Sequence, residues 1–333
     1  MTLDGFTTGS TLLNLAITNK YDVGYVPGKF YHIYGEEGSG KSFLAMQGMF
    51  HALNYAIKKG LNPQIVYNDV EGGFLDSFLA QLNPAMYEKV MENDGFELIT
   101  GSSFEDVFGD FITRLKNLKE EDFLFYVVDS LDALLTEDRL KADIGDSSYG
   151  AEVAKKMSET AKRIMSVLKK KNAILFVISQ VRESIGVYGR KETYSGGRGI
   201  RHAIHVDIYV KKDGIIKKKI KNKEFPIGVD ITFTIKKNRL AAPFKSGSFS
   251  IYFDSGIDDV GSCLKFLSDC GLISKSGAWW VWNDVKGLGP SGLAEKVIEL
   301  GKINDLRKEV EKVWNDIIEE SKTNRPSSFI LWE

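Results

Sequence analysis

The stretch from Gly35 to Ser42 constrains the fold of this chain more than any other. It reads Gly-Glu-Glu-Gly-Ser-Gly-Lys-Ser and matches the phosphate-binding loop G-x-x-x-x-G-K-[ST] at every required position. The residues before it, 29–34, predict a short strand, and the residues from Phe43 to Ile57 predict a helix that contains no proline. A chance glycine turn is the alternative, but strand, loop and helix together favour a nucleoside triphosphate site in an α/β fold.

The residue types in this loop suit phosphate chemistry. Glycines allow several backbone N–H groups to point at one anion, and the N-terminus of the following helix adds a positive dipole end. Lys41 would hold the β- and γ-phosphates, and the hydroxyl of Ser42 would ligate Mg²⁺. The predicted nucleotide-binding residues are Gly35, Glu36, Glu37, Gly38, Ser39, Gly40, Lys41 and Ser42.

Three further segments predict strands, and the second and third are continuous apolar runs, which are typical of strands buried on both faces of a parallel sheet. They cover residues 64–68, 123–128 and 173–178. Polar residues follow each segment at the carboxyl end, where ligands bind in open α/β sheets. Glu71 is therefore a candidate base for activating water, and Asp129 is a candidate Mg²⁺ ligand. Gln180 could sense the γ-phosphate or position water. Ordinary strand-end acids and caps are the alternatives.

Composition sets the outer limits of the prediction. The 333 residues are 43% hydrophobic and 27% charged, which suits one large domain and a smaller one. We place the boundary at residues 254–256, between a core of residues 1–255 and a domain of residues 256–333. The net charge of -1 neither predicts nor excludes nucleic acid. Without a signal peptide or a long apolar run, we expect a cytoplasmic protein.

Two segments with unusual glycine content, residues 143–150 and 181–200, are candidates for contact with nucleic acid. The second also carries several arginines and little acid, which suits wrapping a phosphate backbone. After the first segment, Lys155, Ser158 and Lys162 follow one another at i, i+3 and i+7 on one predicted helix face. From their spacing alone, a solvated helix face is the more common explanation.

The lysine-rich segment 209–220 predicts a hairpin with its turn at Asp213-Gly214. Its lysines would either face DNA or protect an exposed sheet edge. Beyond the predicted domain boundary, residues 260–272 and 292–319 predict helices on either side of a small strand at 278–282. This spacing favours a compact α+β domain at the end of the chain.

Together these motifs resemble the RecA-type homologous-recombination ATPases, which include phage strand-exchange recombinases. The matching segments are the opening helix 7–17, the phosphate loop 35–42, Asp69 to Glu71, Ile144 to Ser147, Gln180 to Arg182, Ile185 to Val187, residues 192–197, Lys237 to Phe244 and Gly277 to Trp280. The Lys-Asn-Arg-Leu-Ala-Ala-Pro-Phe segment is the most specific of them. The resemblance implies a RecA-like P-loop ATPase core with a central, mostly parallel sheet and a small α+β C-terminal domain.

By position, the resemblance also implies roles in ATP turnover. Glu71 would be the general base, and Gln180 would be the γ-phosphate sensor that couples nucleotide to the second loop. Phe78 would stack on adenine. Lys237 and Arg239 would reach across a subunit boundary to the ATP of the neighbour and act like an arginine finger.

The resemblance further implies contacts with single-stranded DNA. Tyr149 and Ile185 would be loop tips that wedge between groups of nucleotides. The residues implied to line the DNA backbone are Lys155, Ser158, Lys162, Arg182, Gly186, Gly196, Gly197 and Arg198. With the resemblance, we expect the helix face that carries Lys155, Ser158 and Lys162 to bind DNA rather than only to face solvent.

The implied function is a DNA-dependent ATPase that uses ATP and Mg²⁺, assembles as a helical filament on single-stranded DNA, and exchanges strands with homologous duplex DNA. ATP would lie between subunits, and single-strand-binding and loader proteins could assist. The implied location is the bacterial cytoplasm, which could be that of a phage-infected host. Because the chain begins almost at its opening helix, we expect the family's N-terminal helix to be absent or very short.

The sequence departs from the family pattern at two positions near the second loop. Arg198 stands where asparagine is usual, and His202 replaces an aromatic residue. A hexameric motor of the same core fold, such as a helicase, is one alternative, against which the Lys237–Phe244 segment and the second loop argue. A mediator that binds DNA without turning over ATP is another, against which Lys41 and Glu71 argue.

Overall fold

The computed structural model describes residues 3–74, 80, 84–92, 95–101, 103–137, 150–183, 192–194 and 197–323. The helices are α1 Thr11–Thr18, α2 Lys41–Lys59, α3 Pro84–Met91, α4 Phe104–Asn117, α5 Gly150–Leu168, α6 Gly197–Ala203, α7 Asp259–Asp269, α8 Gly289–Glu299 and α9 Ile303–Glu320. The strands are β1 Lys29–Gly35, β2 Asn62–Asp69, β3 Phe96–Ile99, β4 Asp122–Asp129, β5 Ala173–Glu183, β6 Glu192–Tyr194, β7 Val206–Ile220, β8 Lys223–Asn238, β9 Ser246–Tyr252, β10 Gly256–Ile257, β11 Ser274–Ser276, β12 Trp279–Trp282 and β13 Val285–Leu288.

One large sheet contains most of the strands, in the order β10-β9-β8-β7-β1-β5-β4-β2-β3. The strands from β7 to β3 in this order pair in parallel, whereas β8, β9 and β10 add antiparallel pairs at one side. A separate small antiparallel sheet consists of β11, β12 and β13. The predicted α/β class with a mostly parallel central sheet is therefore confirmed.

Apolar runs fold into the central strands because both faces of the sheet are covered. Tyr31 and Ile33 of β1 pack into the core that α2 covers, whereas Phe30 packs with residues of α4 and α5 on the other face. Alternate residues of a strand point to opposite faces, so a strand covered on both faces needs a continuous apolar sequence. In β4, every residue from Phe123 to Val128 is fully buried.

The helix after the phosphate loop begins and ends at glycines. Gly40 is its N-cap with φ 79°, and Gly60 is its C-cap with φ 67°. Both values lie in the left-handed region that glycine adopts without steric cost. The opening helix α1 is capped by a side chain, because Ser10 accepts a hydrogen bond from the backbone N–H of Leu13.

The predicted turn at Asp213-Gly214 is wrong. Strand β7 continues through these residues to Ile220, and a register shift at this point marks a β-bulge. The turn lies at Lys221-Asn222, where φ is 46° and 63°, as a two-residue turn of the I′ type requires. An Asp-Gly pair suits a bulge as well as a turn, and the side chain of Asp213 accepts a hydrogen bond from Thr232 across the strands.

The predicted helix over 292–319 is two helices. The chain breaks between α8 and α9 at Gly301, where φ is 66°. The large sheet extends two residues past the predicted boundary, because Gly256 and Ile257 pair with β9. The division at residue 255 stays a prediction. In the part of the chain that the structure describes, no helix is both long enough and apolar enough to span a bilayer.

Candidate functional site

A cavity of about 290 Å³ lies at the carboxyl edge of the parallel strands, where the ends of β1, β2, β4 and β5 meet. Register pairing brings these ends together, because Gly35 pairs with Gln180 and Asp69 pairs with Asp129. The lining residues are Glu37, Gly38, Ser39, Gly40, Lys41, Ser42, Phe43, Glu71, Asp129, Ser130, Ile178 and Gln180. The structure thus brings most of the predicted nucleotide site into one place.

The phosphate loop is shaped by close backbone packing. A Cβ at Gly35 would lie 2.0 Å from the carbonyl oxygen of Val210 on β7, so no larger residue fits there. The Ser39 hydroxyl donates to the carbonyl of Glu36 at 2.7 Å and holds the loop closed on itself. The first residues of α2, Lys41 and Ser42, line the cavity, where the positive dipole end of a helix favours an anion.

Lys41 is buried at the base of this loop. Its Nζ donates to the carbonyl oxygens of Gly35 at 3.0 Å and Glu36 at 2.7 Å. Burial lowers the pKa of Lys41, and the nearby acids, first Asp129 and then Glu71, oppose that shift. The neighbouring carboxylates favour the charged form of this ammonium, which can balance the negative charge of a phosphate.

Ser42 and Asp129 offer the oxygen ligands that Mg²⁺ prefers. Asp129 accepts hydrogen bonds from the Tyr67 hydroxyl at 2.5 Å and from Ser42. Burial is the main cause that raises the pKa of Asp129, so a nearby cation would stabilise its ionised form. Among the described residues, no cluster of three His, Cys, Asp or Glu could hold a metal alone. Two protein oxygens fit a Mg²⁺ whose other ligands are phosphates and water.

Glu71 lies just beyond β2, and two side chains fix its carboxylate. The Ser130 hydroxyl donates to Oε1 of Glu71, and Nε2 of Gln180 contacts the same oxygen at 3.4 Å. The backbone N–H of Gln180 donates to Asp132 at 2.6 Å. Glu71 and Gln180 are both exposed to the cavity, so a water molecule on the phosphate side can reach the carboxylate.

Three residues of this site were missed in the sequence. Tyr67 and Ser130 hold the two key carboxylates, and Asp132 anchors the strand end that carries Gln180. Ser130 comes directly after Asp129 and Asp132 is two residues further on, so their place in the chain was a usable signal. Tyr67 gave no such signal, because a tyrosine in an apolar strand usually belongs to the core.

Lys237 and Arg239 lie at the opposite, amino edge of the sheet. Lys237 of β8 pairs with Asp207 at the start of β7. The backbone N–H of Arg239 donates to the carbonyl of His205 at 3.0 Å. His205 is in turn hydrogen-bonded to Phe30 of β1. Phe30 lies five residues before Gly35, so the two residues are separated by roughly 16 Å along the strand. These cations therefore cannot contact the phosphate loop of their own chain.

At the amino edge the two cations bind carbonyl oxygens at the end of α6. Lys237 donates to the carbonyl of Arg201 at 2.6 Å, and Arg239 donates to that of His202 at 2.7 Å. Burial, followed by the charge of Arg239, lowers the pKa of Lys237. Burial and the charges of Lys29, Arg239 and Lys237 lower the pKa of His205 to about 4. This edge is rich in positive charge.

Of the ten predicted DNA-binding residues, four lie outside the residues that the structure describes. Those outside the described residues are Tyr149, Ile185, Gly186 and Gly196, and the adenine-stacking candidate Phe78 lies outside them too. Lys155 lies in α5, Arg182 in β5, and Gly197 and Arg198 in α6. In α5, Ser158 is half-buried and Lys162 is exposed.

Comparison with known proteins agrees with this geometry. The family model of the RecA N-terminal domain matches residues 110–258. Protein RecA of Chlamydia abortus is 30% identical over 316 residues, which cover 92% of this chain and 80% of that protein. Protein RecA of Streptococcus mutans is 29% identical over 323 residues, which cover 96% of this chain and 79% of that protein.

A solved structure shares the fold. The crystal structure of the RadB recombinase matches with a TM-score of 0.50 and 22% sequence identity, covering 76% of this chain and 98% of that chain. At that identity the likeness speaks for the fold alone, whereas the sequence relatives extend over most of both proteins. The chain therefore belongs to the RecA family of recombination ATPases.

Proposed function

We propose that this protein is an ATP- and Mg²⁺-dependent DNA recombinase that assembles on single-stranded DNA and catalyses homologous pairing and strand exchange. The observation that carries this proposal is the division of the ATP machinery between two edges of one sheet. Phosphate loop and candidate base lie at the carboxyl edge, whereas Lys237 and Arg239 lie at the amino edge. Head-to-tail stacking of subunits would place the cations of one subunit on the nucleotide of the next.

Within one subunit, the residues at the carboxyl edge would bind ATP and prepare water. The loop N–H groups and Lys41 would bind the phosphates, while Glu71, held by Ser130, would accept the proton of the attacking water. Ser42 and Asp129 would hold Mg²⁺, which when bound neutralises phosphate charge. Gln180 contacts Glu71 and would register the γ-phosphate.

The neighbouring subunit would complete the site. Its Lys237 and Arg239 would stabilise the negative charge that develops on the transferring phosphoryl group. Turnover would then require assembly, and assembly on DNA would stimulate turnover. Lys237 and Arg239 also donate to carbonyls at the end of α6, which follows the predicted second DNA loop. A change in their contacts on binding a nucleotide would therefore alter the position of that loop.

The proposed DNA contact is made to the backbone, through the segment before α5, the face of α5 that carries Lys155, Ser158 and Lys162, and the segment from Arg182 to Arg198. Affinity should fall with salt and depend little on sequence, since base pairing would read homology. The proposal includes filament formation, single-strand-binding or loader proteins as partners, and a bacterial cytoplasmic location. It also includes the division into a core of residues 1–255 and a C-terminal domain of residues 256–333.

The test measures ATP hydrolysis with and without single-stranded DNA, followed by strand exchange with homologous and heterologous duplexes. We expect DNA-stimulated hydrolysis, exchange with the homologous duplex alone, and filaments in electron micrographs. Lys41→Ala should abolish nucleotide-dependent assembly, whereas Lys59→Ala at the far end of α2 should not. Duplex unwinding, or exchange that ignores homology, would contradict the proposal and favour a motor; DNA binding without turnover would favour a mediator.

A further inference from the structure

A line of buried polar side chains crosses the middle of the large sheet. Nδ1 of His32 on β1 lies 2.7 Å from the carboxylate of Asp207 on β7, and Nε2 lies 3.0 Å from the hydroxyl of Ser179 on β5. His32 and Ser179 are 0% exposed and Asp207 is 7% exposed. Each strand beside β1 thus contributes one hydrogen-bond partner to a single imidazole.

The chemistry of the three groups sets the direction of these hydrogen bonds. A carboxylate can only accept, so Nδ1–H of His32 donates to Asp207. In the neutral imidazole the lone pair on Nε2 then accepts from the Ser179 hydroxyl. Ser, His and Asp in this order also form hydrolase triads. Here the hydroxyl is fully buried, and the nucleotide cavity is lined by the flanking Ile178 and Gln180. The three side chains therefore connect strands and do not form a nucleophile.

The connected strands lie on either side of the predicted second DNA-binding loop. Strand β5 leads into the chain between Glu183 and Gly197, and α6 and β7 follow it. Strands β5 and β7 are not neighbours in the sheet, because β1 lies between them. His32 is hydrogen-bonded to both and so sets their relative position from inside the sheet.

Both partners of His32 adjoin the candidate ATP machinery. Ser179 precedes Gln180, which contacts Glu71 and pairs with Gly35 at the start of the phosphate loop. Asp207 lies opposite Lys237, one of the two cations at the amino edge. The line from Gln180 to Lys237 therefore joins the nucleotide site of the subunit to the cations that would serve the neighbour.

A buried polar network is weak evidence for stability, because apolar residues of similar volume often stabilise a core at least as well. We infer that His32 is a positioning residue that couples the nucleotide site to the segment between β5 and β7. Its two hydrogen bonds would make β5 and β7 shift together when nucleotide binds. The inference rests on the proposed function and deepens it. His32 would touch neither ATP nor DNA, so its effect is on communication between sites.

The central experiment compares His32→Phe with Tyr31→Phe. Tyr31 precedes His32 on β1 and packs on the opposite face, where its hydroxyl donates to the carbonyl of Gly24 at 3.1 Å and accepts from the N–H of Val26 at 2.7 Å. Both variants remove buried hydrogen bonds from one strand, so a general loss of stability affects both. Ser179→Ala, which removes only a hydroxyl, serves if His32→Phe does not fold.

Two readouts follow binding of ATPγS by the full chain. Hydrogen exchange of peptides covering residues 184–205 should change on nucleotide binding in wild type and Tyr31→Phe, and should not change in His32→Phe. Nucleotide affinity should stay within about threefold of wild type, while the nucleotide-induced gain in affinity for single-stranded DNA falls by roughly 5- to 150-fold, as expected for loss of an allosteric coupling.

The inference is overturned if His32→Phe transmits the nucleotide response, if Tyr31→Phe loses it equally, or if the wild-type segment does not respond to ATPγS. Failure of the proposed function gives a different result. A wild-type protein whose hydrolysis is not stimulated by DNA would contradict that function, whereas the exchange response to nucleotide would still decide the role of His32.

Discussion

The two edges of the large sheet differ in how their charges are balanced. At the carboxyl edge, the buried Lys41 is surrounded by acids, of which Asp129 and Glu71 have the largest effects on its pKa. At the amino edge, Lys237 and Arg239 lie near one another, and their positive charges help to lower the pKa of His205.

This difference indicates which edge receives the nucleotide and which edge supplies charge to another molecule. A nucleotide with bound Mg²⁺ carries positive charge on the metal and negative charge on the phosphates. The carboxyl edge has both acids and Lys41 to match them. A cluster of cations is stabilised by an anion brought from outside, and a head-to-tail interface would bring the phosphates of a neighbour to the amino edge. The comparison therefore predicts that each edge fails in a distinct way when it is altered.

The largest expected effect is at the amino edge. Arg239→Ala should lower DNA-stimulated ATP hydrolysis by about 10³-fold, the lower end of what an arginine finger contributes. Nucleotide affinity of the dispersed subunit should not change, because Arg239 cannot contact its own phosphate loop. Steady-state hydrolysis and nucleotide titration at low protein concentration measure the two quantities.

Lys236→Ala is the matched control for this variant. Lys236 is exposed, lies three residues before Arg239, and is placed over the ring of Tyr209. It should hydrolyse ATP like wild type. Normal turnover in Arg239→Ala, or equal losses in both variants, would break the assignment of the amino edge to the ATP of a neighbour.

The next effect is at the carboxyl edge. Glu71→Gln should lower hydrolysis by about 10²-fold or more, because the amide cannot accept a proton from water. ATP and DNA binding should be retained, since the hydrogen bonds of the loop do not involve Glu71. Single-turnover hydrolysis together with filter binding of labelled ATP distinguishes loss of chemistry from loss of affinity.

Mixing the two inactive variants sharpens the comparison. In a random one-to-one mixture, roughly one head-to-tail interface in four joins an intact carboxyl edge to an intact amino edge. Turnover should return to about that fraction of the wild-type rate. A mixture as inactive as its components would show that both edges serve the same subunit, or that neither variant assembles.

The smallest effect concerns stability. The pKa of Asp129 is raised in the folded protein, so folding favours the protonated carboxyl. The stability that this gives is lost as the pH rises through the folded-state pKa. At pH 7, without Mg²⁺ or nucleotide, Asp129→Asn should therefore raise the free energy of unfolding by on the order of 1 kcal/mol. This gain in stability should disappear below pH 3.8, the ordinary pKa of Asp. The same variant should also lose Mg²⁺-dependent nucleotide binding.

Urea denaturation across pH measures this effect, and Asp254→Asn is its control because Asp254 is an exposed acid. A loss of stability in Asp129→Asn would show that the hydrogen bonds from Tyr67 and Ser42 outweigh the desolvation of the carboxylate.

The sequence predicted those parts of the site that depend on short-range order. The phosphate loop needs its glycines and Lys41 at fixed spacing, and Asp129 follows a strand whose apolar run identifies it. Tyr67 could not be assigned in this way, since its contact with Asp129 depends on which strand lies beside which. The turn predicted at Asp213-Gly214 failed for a related reason, because β7 continues to pair with β8 beyond it, as far as Ile220.

By itself, the sequence determined the α/β class, the nucleotide loop and the family resemblance, because these depend on local periodicity and on residue types at fixed spacing. Only the tertiary structure decided that Lys237 and Arg239 lie at the edge opposite the phosphate loop, and that His32 joins the strands on either side of the second loop. Both facts follow from the order and direction of strands, which pairing between distant segments sets and local spacing does not encode.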